Sequence, residues 1–165
     1  MRLFALALLF AAACTPARAQ ITEPPWREDI AAIDACLAAH APIETVGGPS
    51  KRDCIGEVTR ACTAPFGDGG GSTGTLILCF AREERAWRAH LDQSAQRLME
   101  AESETQRAAL ERMLAAGAEW TIARCSYYAS QYEGGSLARV LASSCARDTM
   151  AERAIDLHDR LNPIQ

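Results

Sequence analysis

The residues with the most chemistry to offer in this chain are its seven cysteines. Thiols bind metals or pair as disulfides, and spacing and compartment decide between the two. Structural zinc needs closely spaced Cys and His ligands. The chain has no Cys-x-x-Cys, and His40, His90 and His158 stand far apart without ligand spacing. Zinc is the disfavoured competitor to disulfides, and no cofactor is expected. Catalytic groupings are equally absent. Glu83 and Glu84 are adjacent, so on a helix they point about 100° apart and cannot share a substrate. His90 lies two turns from Glu83 and reads as a surface histidine, while Asp156, His158 and Asp159 read as a solvated helix end. The loop Gly69-Gly70-Gly71-Ser72-Thr73-Gly74 precedes a helix but lacks the Gly-Lys-Ser/Thr ending of a phosphate-binding loop. It reads as a flexible connection. No nucleophile elbow occurs, and the chain is read as no enzyme.

The N-terminus sets the compartment. Arg2 precedes an apolar run, LFALALLFAAA, and then Ala17-Arg18-Ala19. These are the three regions of a secretory signal, with cleavage expected after Ala19. The run is too short for a membrane span. The expected organisation is a signal peptide over 1–19 and a single domain over 20–165, in the periplasm or secreted. The alternative is a lipoprotein anchored through Cys14, which small residues precede, although no Leu stands three positions before it. The whole chain carries 17 Lys+Arg and 21 Asp+Glu, a net charge of −4. Losing Arg2 and Arg18 leaves 15 basic against 21 acidic residues, a mature charge of −6. The arginines are spread among acidic residues, so nucleic acid is not an expected partner.

The helical period recurs along the chain and no useful strand alternation appears. Ile30, Ile33 and Leu37 mark a first helix. A loop with two prolines and two glycines follows, from 41 to 49. Ser50 and Asp53 have N-cap spacing before a short helix bearing Ile55, Val58 and Cys62. After a glycine-rich loop, a long helix starts near Thr75 and carries Cys79, Phe80, Glu83, Trp87, Leu91, Ala95 and Leu98. Glu83 alone interrupts its apolar stripe. Ser103 and Gln106 match a capping box and open the next helix, which runs through Trp120 to about Tyr132. A last helix follows Gly134-Gly135, carries Leu157 and ends at Pro163. Trp87, Leu91, Trp120 and Leu157 are expected in the core, with Trp87 and Trp120 facing each other's helices, because large aromatics at helical spacing usually fill cores.

With Cys14 removed, six cysteines remain, an even number that reads as disulfides in an exported chain. Cys36 and Cys54 lie about equally far on either side of the first loop. Cys62 and Cys79 do so around the glycine-rich loop, and Cys125 and Cys145 around Gly134-Gly135. In an antiparallel hairpin, residues equidistant from the turn come level. The pairing 36–54, 62–79 and 125–145 follows, each closing a loop of roughly 20 residues worth about 3 kcal/mol. The fold expected is all-α, a disulfide-stapled bundle of about five helices in antiparallel hairpins. Gly134 and Gly135 supply the turn geometry, and Ser136 is placed to cap the last helix. Tyr132 and Glu133 at this rigid tip are the expected partner contacts, since tyrosine anchors interfaces and a preordered loop loses less entropy on docking.

Taken in order, the residues resemble a known family. They are Cys54-Ile-Gly with Cys62, Cys79-x-x-x-Glu83-x-x-x-Trp87-x-x-x-Leu91-Asp92, Cys125 with Tyr132-Glu133-Gly134-Gly135-Ser136, and Cys145 with Arg153 and Leu157. This combination resembles the small exported domain named for the lysozyme inhibitor LprI, from about Cys36 to Leu161. The chain departs from that pattern at Arg88, Asp92 and Gly117 and in the position of Trp120. The resemblance implies inhibition of lysozyme in the cell envelope. Animal-type lysozymes are basic and would attract an acidic partner, and their two-carboxylate cleft could be plugged by a protruding loop. The alternative is an envelope structural or interaction module without inhibitory activity. A lysozyme turnover assay separates the two.

Overall fold

The computed structural model describes residues 26–40, 50–132 and 134–162. The expected signal peptide over 1–19, Cys14, the first loop and Glu133 lie outside the described residues. The rest is helical, with no strand among the described residues: α1 (Arg27–Ala39), α2 (Glu57–Thr63), α3 (Thr73–Ala101), α4 (Glu104–Ser130) and α5 (Ser136–Leu161). Two 3₁₀ turns, Lys51–Cys54 and Ala64–Phe66, join them.

Helix boundaries follow local chemistry. The 3₁₀ turn opens on a capping box between Ser50 and Asp53. The Ser72 hydroxyl accepts from the Thr75 N–H, so α3 begins at Thr73, two residues before the sequence expectation. Ser103 and Gln106 form a reciprocal capping box that ends one helix and starts the next. The last helix differs from expectation: Gly135, not Ser136, is its N-cap, and no side chain caps it. Of the two glycines in this turn, Gly134 takes a positive φ, 74°, while Gly135 is at −69°. The left-handed angle that favours glycine is therefore needed once in the turn.

α5 is the central element. α3 and α4 both pack along it and touch each other little, while α1 and α2 cover α3. Arg147 near the middle of α5 meets Glu83 early in α3, and Arg160 meets Glu102 at the end of α3. α5 therefore runs parallel to α3, with α4 antiparallel to both. The core joins Ile33 and Leu37 of α1, Val58 of α2, Trp87, Leu91 and Leu98 of α3, and Met150, Ala154, Ile155 and Leu157 of α5. Disulfides link Cys36–Cys54, Cys62–Cys79 and Cys125–Cys145, with Cα–Cα distances of 5.8, 5.7 and 5.5 Å.

Glu83, the one interruption in the α3 stripe, is fully buried. Its carboxylate accepts from the Gly56 N–H at 2.6 Å, the Thr59 N–H at 2.8 Å and the Trp87 indole N–H at 3.0 Å. Gly56 is the N-cap of α2 and has φ 98°, and α2 has no side-chain cap of its own. Glu83 thus supplies from a distant helix the negative group that the first turn of α2 needs. Arg147 lies 3.8 Å away and balances the charge.

Two sequence expectations are corrected. Trp120 is not a core residue but is 49% exposed. α4 packs almost entirely on α5, so only Leu110 and Cys125 of its 27 residues are buried, and the face carrying Trp120 meets no second described element. His90 is not on the surface but buried. α1 closes over α3 at that point and brings Asp34 to 3.7 Å from its Nδ1.

Candidate functional site

The two ends of the α4–α5 pair differ in composition. Towards Cys125, α4 presents Trp120, Arg124, Tyr128 and Tyr132, with successive residues four apart. That spacing sets them on one face of a helix, although Tyr132 lies just past the end of α4. Arg124 sits between two of the aromatics, its guanidinium carbon 5.4 Å from the Trp120 ring centroid and 5.9 Å from that of Tyr128. It also donates to Glu152 at 3.2 Å and Thr149 at 3.3 Å, both on α5. These bonds fix the arginine, and the arginine orders the rings on either side through cation–π attraction. Tyr127 packs edge-on against Tyr128, with centroids 5.7 Å apart.

The rings are fixed yet open to solvent. Tyr127 is 67% exposed, Tyr128 45% and Tyr132 46%. Monomeric domains rarely leave so many large aromatics uncovered in one place. A cleft of about 310 Å³ runs beside them, lined by Arg124, Tyr128, Tyr132, Leu141, Ser144 and Asp148. The Cys125–Cys145 bridge locks the floor of this region, so α4 and α5 hold one spacing. Trp, Tyr and Arg are the residues that dominate binding energy at protein interfaces. The arrangement can bind a partner surface.

Of the sequence-expected contacts, Tyr132 joins this surface, and Glu133 lies outside the described residues. Trp120 belongs to it instead of to the core, and Arg124, Tyr127 and Tyr128 join it beyond the sequence expectation. Their four-residue spacing is legible in the sequence. The same spacing marks a buried stripe, and only the absence of a covering element distinguishes the two.

Among the described residues one metal-like grouping occurs, where His40 Nδ1 lies 3.7 Å from the sulfurs of both Cys36 and Cys54. Those sulfurs are joined to each other, so neither is a thiolate ligand. His40 Nδ1 instead lies 2.8 Å from the Cys36 carbonyl oxygen, as donor to it.

A family model described as lysozyme inhibitor LprI matches residues 68–157, more than half of the chain. The matched span contains α3, α4 and most of α5, and so the whole aromatic surface. Neither a curated protein nor a solved structure matches the chain.

Proposed function

The chain belongs to the lysozyme inhibitor LprI family, and from that premise we propose that it is an exported, non-enzymatic binding protein that inhibits a lysozyme in the cell envelope. The observation that carries the reading is the ordered, exposed row of Trp120, Arg124, Tyr128 and Tyr132 beside the Cys125–Cys145 staple. Aromatic anchors already held in place lose little side-chain entropy on binding. The acidic balance of the chain suits a basic partner by steering the encounter, and steering weakens as salt rises. Export rests on the apolar N-terminal run and the Ala17-Arg18-Ala19 site. No helix of the described residues is long and apolar enough to cross a membrane.

Turnover of cell-wall substrate by a basic animal-type lysozyme, titrated with the oxidised protein, tests the proposal. The parent protein should inhibit at stoichiometric to low-micromolar levels. Tyr128→Ala and Tyr132→Ala should each weaken inhibition at least fivefold with unchanged melting. Absence of inhibition by the parent would overturn the lysozyme reading. Full inhibition by both variants would move the contact surface elsewhere.

A further inference from the structure

The opposite side of α4 carries a second, chemically different site. Because α3 and α4 both lie on α5 and touch each other little, a cleft of about 380 Å³ opens between them with α5 as its floor. Its walls are mainly apolar, among them Ala118, Ile122 and Ala129 of α4 and Ala142, Ala146 and Met150 of α5, with Thr121 and Ser126 as the uncharged polar members. One end is charged, with Glu84, Arg88 and Arg153. Arg153 also lines an adjoining cavity of about 230 Å³ that contains Leu91, Leu114 and Leu157.

The two arginines are not equally satisfied. Arg88 pairs with Glu84 at 2.7 Å. Arg153 is partly buried and forms no ion pair with a described carboxylate; its hydrogen bond goes to the Leu114 carbonyl oxygen at 3.0 Å. The guanidinium lies flat against α4 at Gly117, where an added methyl would come within 2.9 Å of Nε. Burial pushes the Arg153 pKa down, the nearby Arg88 charge pushes it further down, and Asp92 offsets this in the opposite direction. A partly desolvated cation beside a second cation is costly unless an anion joins it. Its remaining donors form the planar fork that suits a carboxylate.

We propose that this cleft binds a single-chain amphiphile with a carboxylate head, of the fatty-acid class. The head sits between Arg88 and Arg153, and the acyl chain runs over Ala142 and Ala146 towards Ile122. A bare anion would leave the apolar walls unused. A helix of a partner protein, about 10–12 Å across with its side chains, is too large for a cleft whose volume lies near the lower end of small-ligand pockets, about 300–1,000 Å³. The inference is independent of the lysozyme reading, since it uses the other face of α4.

Calorimetric titration of the oxidised protein with decanoate below its micellar concentration tests it, with acetate and decyltrimethylammonium as separate arms. The expected result is saturable one-site binding of decanoate, with binding by acetate and by the cationic amphiphile at least tenfold weaker. Arg88→Gln should weaken decanoate at least fivefold, and Ala146→Leu, which fills the cleft, should remove binding while melting like the parent. Should Ala146→Leu fail to fold, the exposed Arg88→Gln decides alone. Unsaturable decanoate binding, equal binding of the cationic amphiphile, equal binding of acetate, or an unchanged Arg88→Gln variant would each overturn the proposal.

Discussion

The α1–α2–α3 side of the molecule and the end of the α4–α5 hairpin use the same materials to opposite ends. Both contain tryptophan, arginine, a carboxylate and a disulfide. On the first side, two disulfides tie α1 to the 3₁₀ turn after it and α2 to α3, Trp87 is fully buried, and Glu83 is closed off from water among backbone N–H groups. On the second, one disulfide holds two helices together, Trp120 is half exposed, and Arg124 with Glu152 works at the surface. The difference is the number of elements over each helix. α3 is covered by α1, α2 and α5, whereas among the described elements α4 packs almost entirely on α5. Stability concentrates where layers close, and the open layer leaves aromatic surface available for recognition.

Substitution of the two tryptophans should break the molecule unequally. Trp87→Ala removes a buried indole and leaves Glu83 one donor short. It should cost about 3–5 kcal/mol, as for other large aromatic truncations in cores, read as a fall in the thermal midpoint. A melt equal to the parent would contradict its place in the core. Removing the hairpin staple with Cys125→Ala and Cys145→Ala should come next, at about 3 kcal/mol for a loop of this length. Denaturant unfolding of the double variant measures it, and lysozyme inhibition should fall further than folding alone explains, because the aromatic row would lose its rigid base.

A smaller effect should appear with pH on the α3 side. Burial pushes the His90 pKa below its usual 6.5, although Asp34 opposes this. His158 is also lowered, by burial first and then by Lys51, with Asp159 opposing. A lowered histidine pKa means that the folded state binds fewer protons than the unfolded state. The contribution is fully present above about pH 6.5 and is lost as pH falls towards the folded-state value. The thermal midpoint should therefore drop between pH 7.5 and 5, and His90→Gln should flatten part of that slope. An unchanged slope in His90→Gln would remove His90 from the cause. The smallest effect on stability should come from Trp120→Ala, within about 0.5 kcal/mol as for surface changes, while lysozyme inhibition weakens at least fivefold. A large loss of stability there would mean that α4 has a second packing partner.

The amino-acid sequence by itself determined which segments are helical and where they begin and end to within about two residues, because caps, glycines and the helical period act over a few residues. Ser50, Ser72 and Ser103 set helix starts within that reach, and Gly134 marks the last turn. The symmetry of the six cysteines about the loops likewise carried their pairing, since disulfides this short-ranged depend on the hairpin and on little else. Tertiary structure decided the rest. The stripe through Trp87 and the row through Trp120 have the same spacing, and no local rule separates them. What separates them is that α1 and α2 cover α3, while no described element covers the outer face of α4. The same long-range packing turned Glu83 from a break in an apolar stripe into the cap of a helix 24 to 27 residues away, and His90 from a surface position into a buried one. Burial depends on which elements arrive from elsewhere in the chain, and that information is absent from any window of sequence around the residue itself.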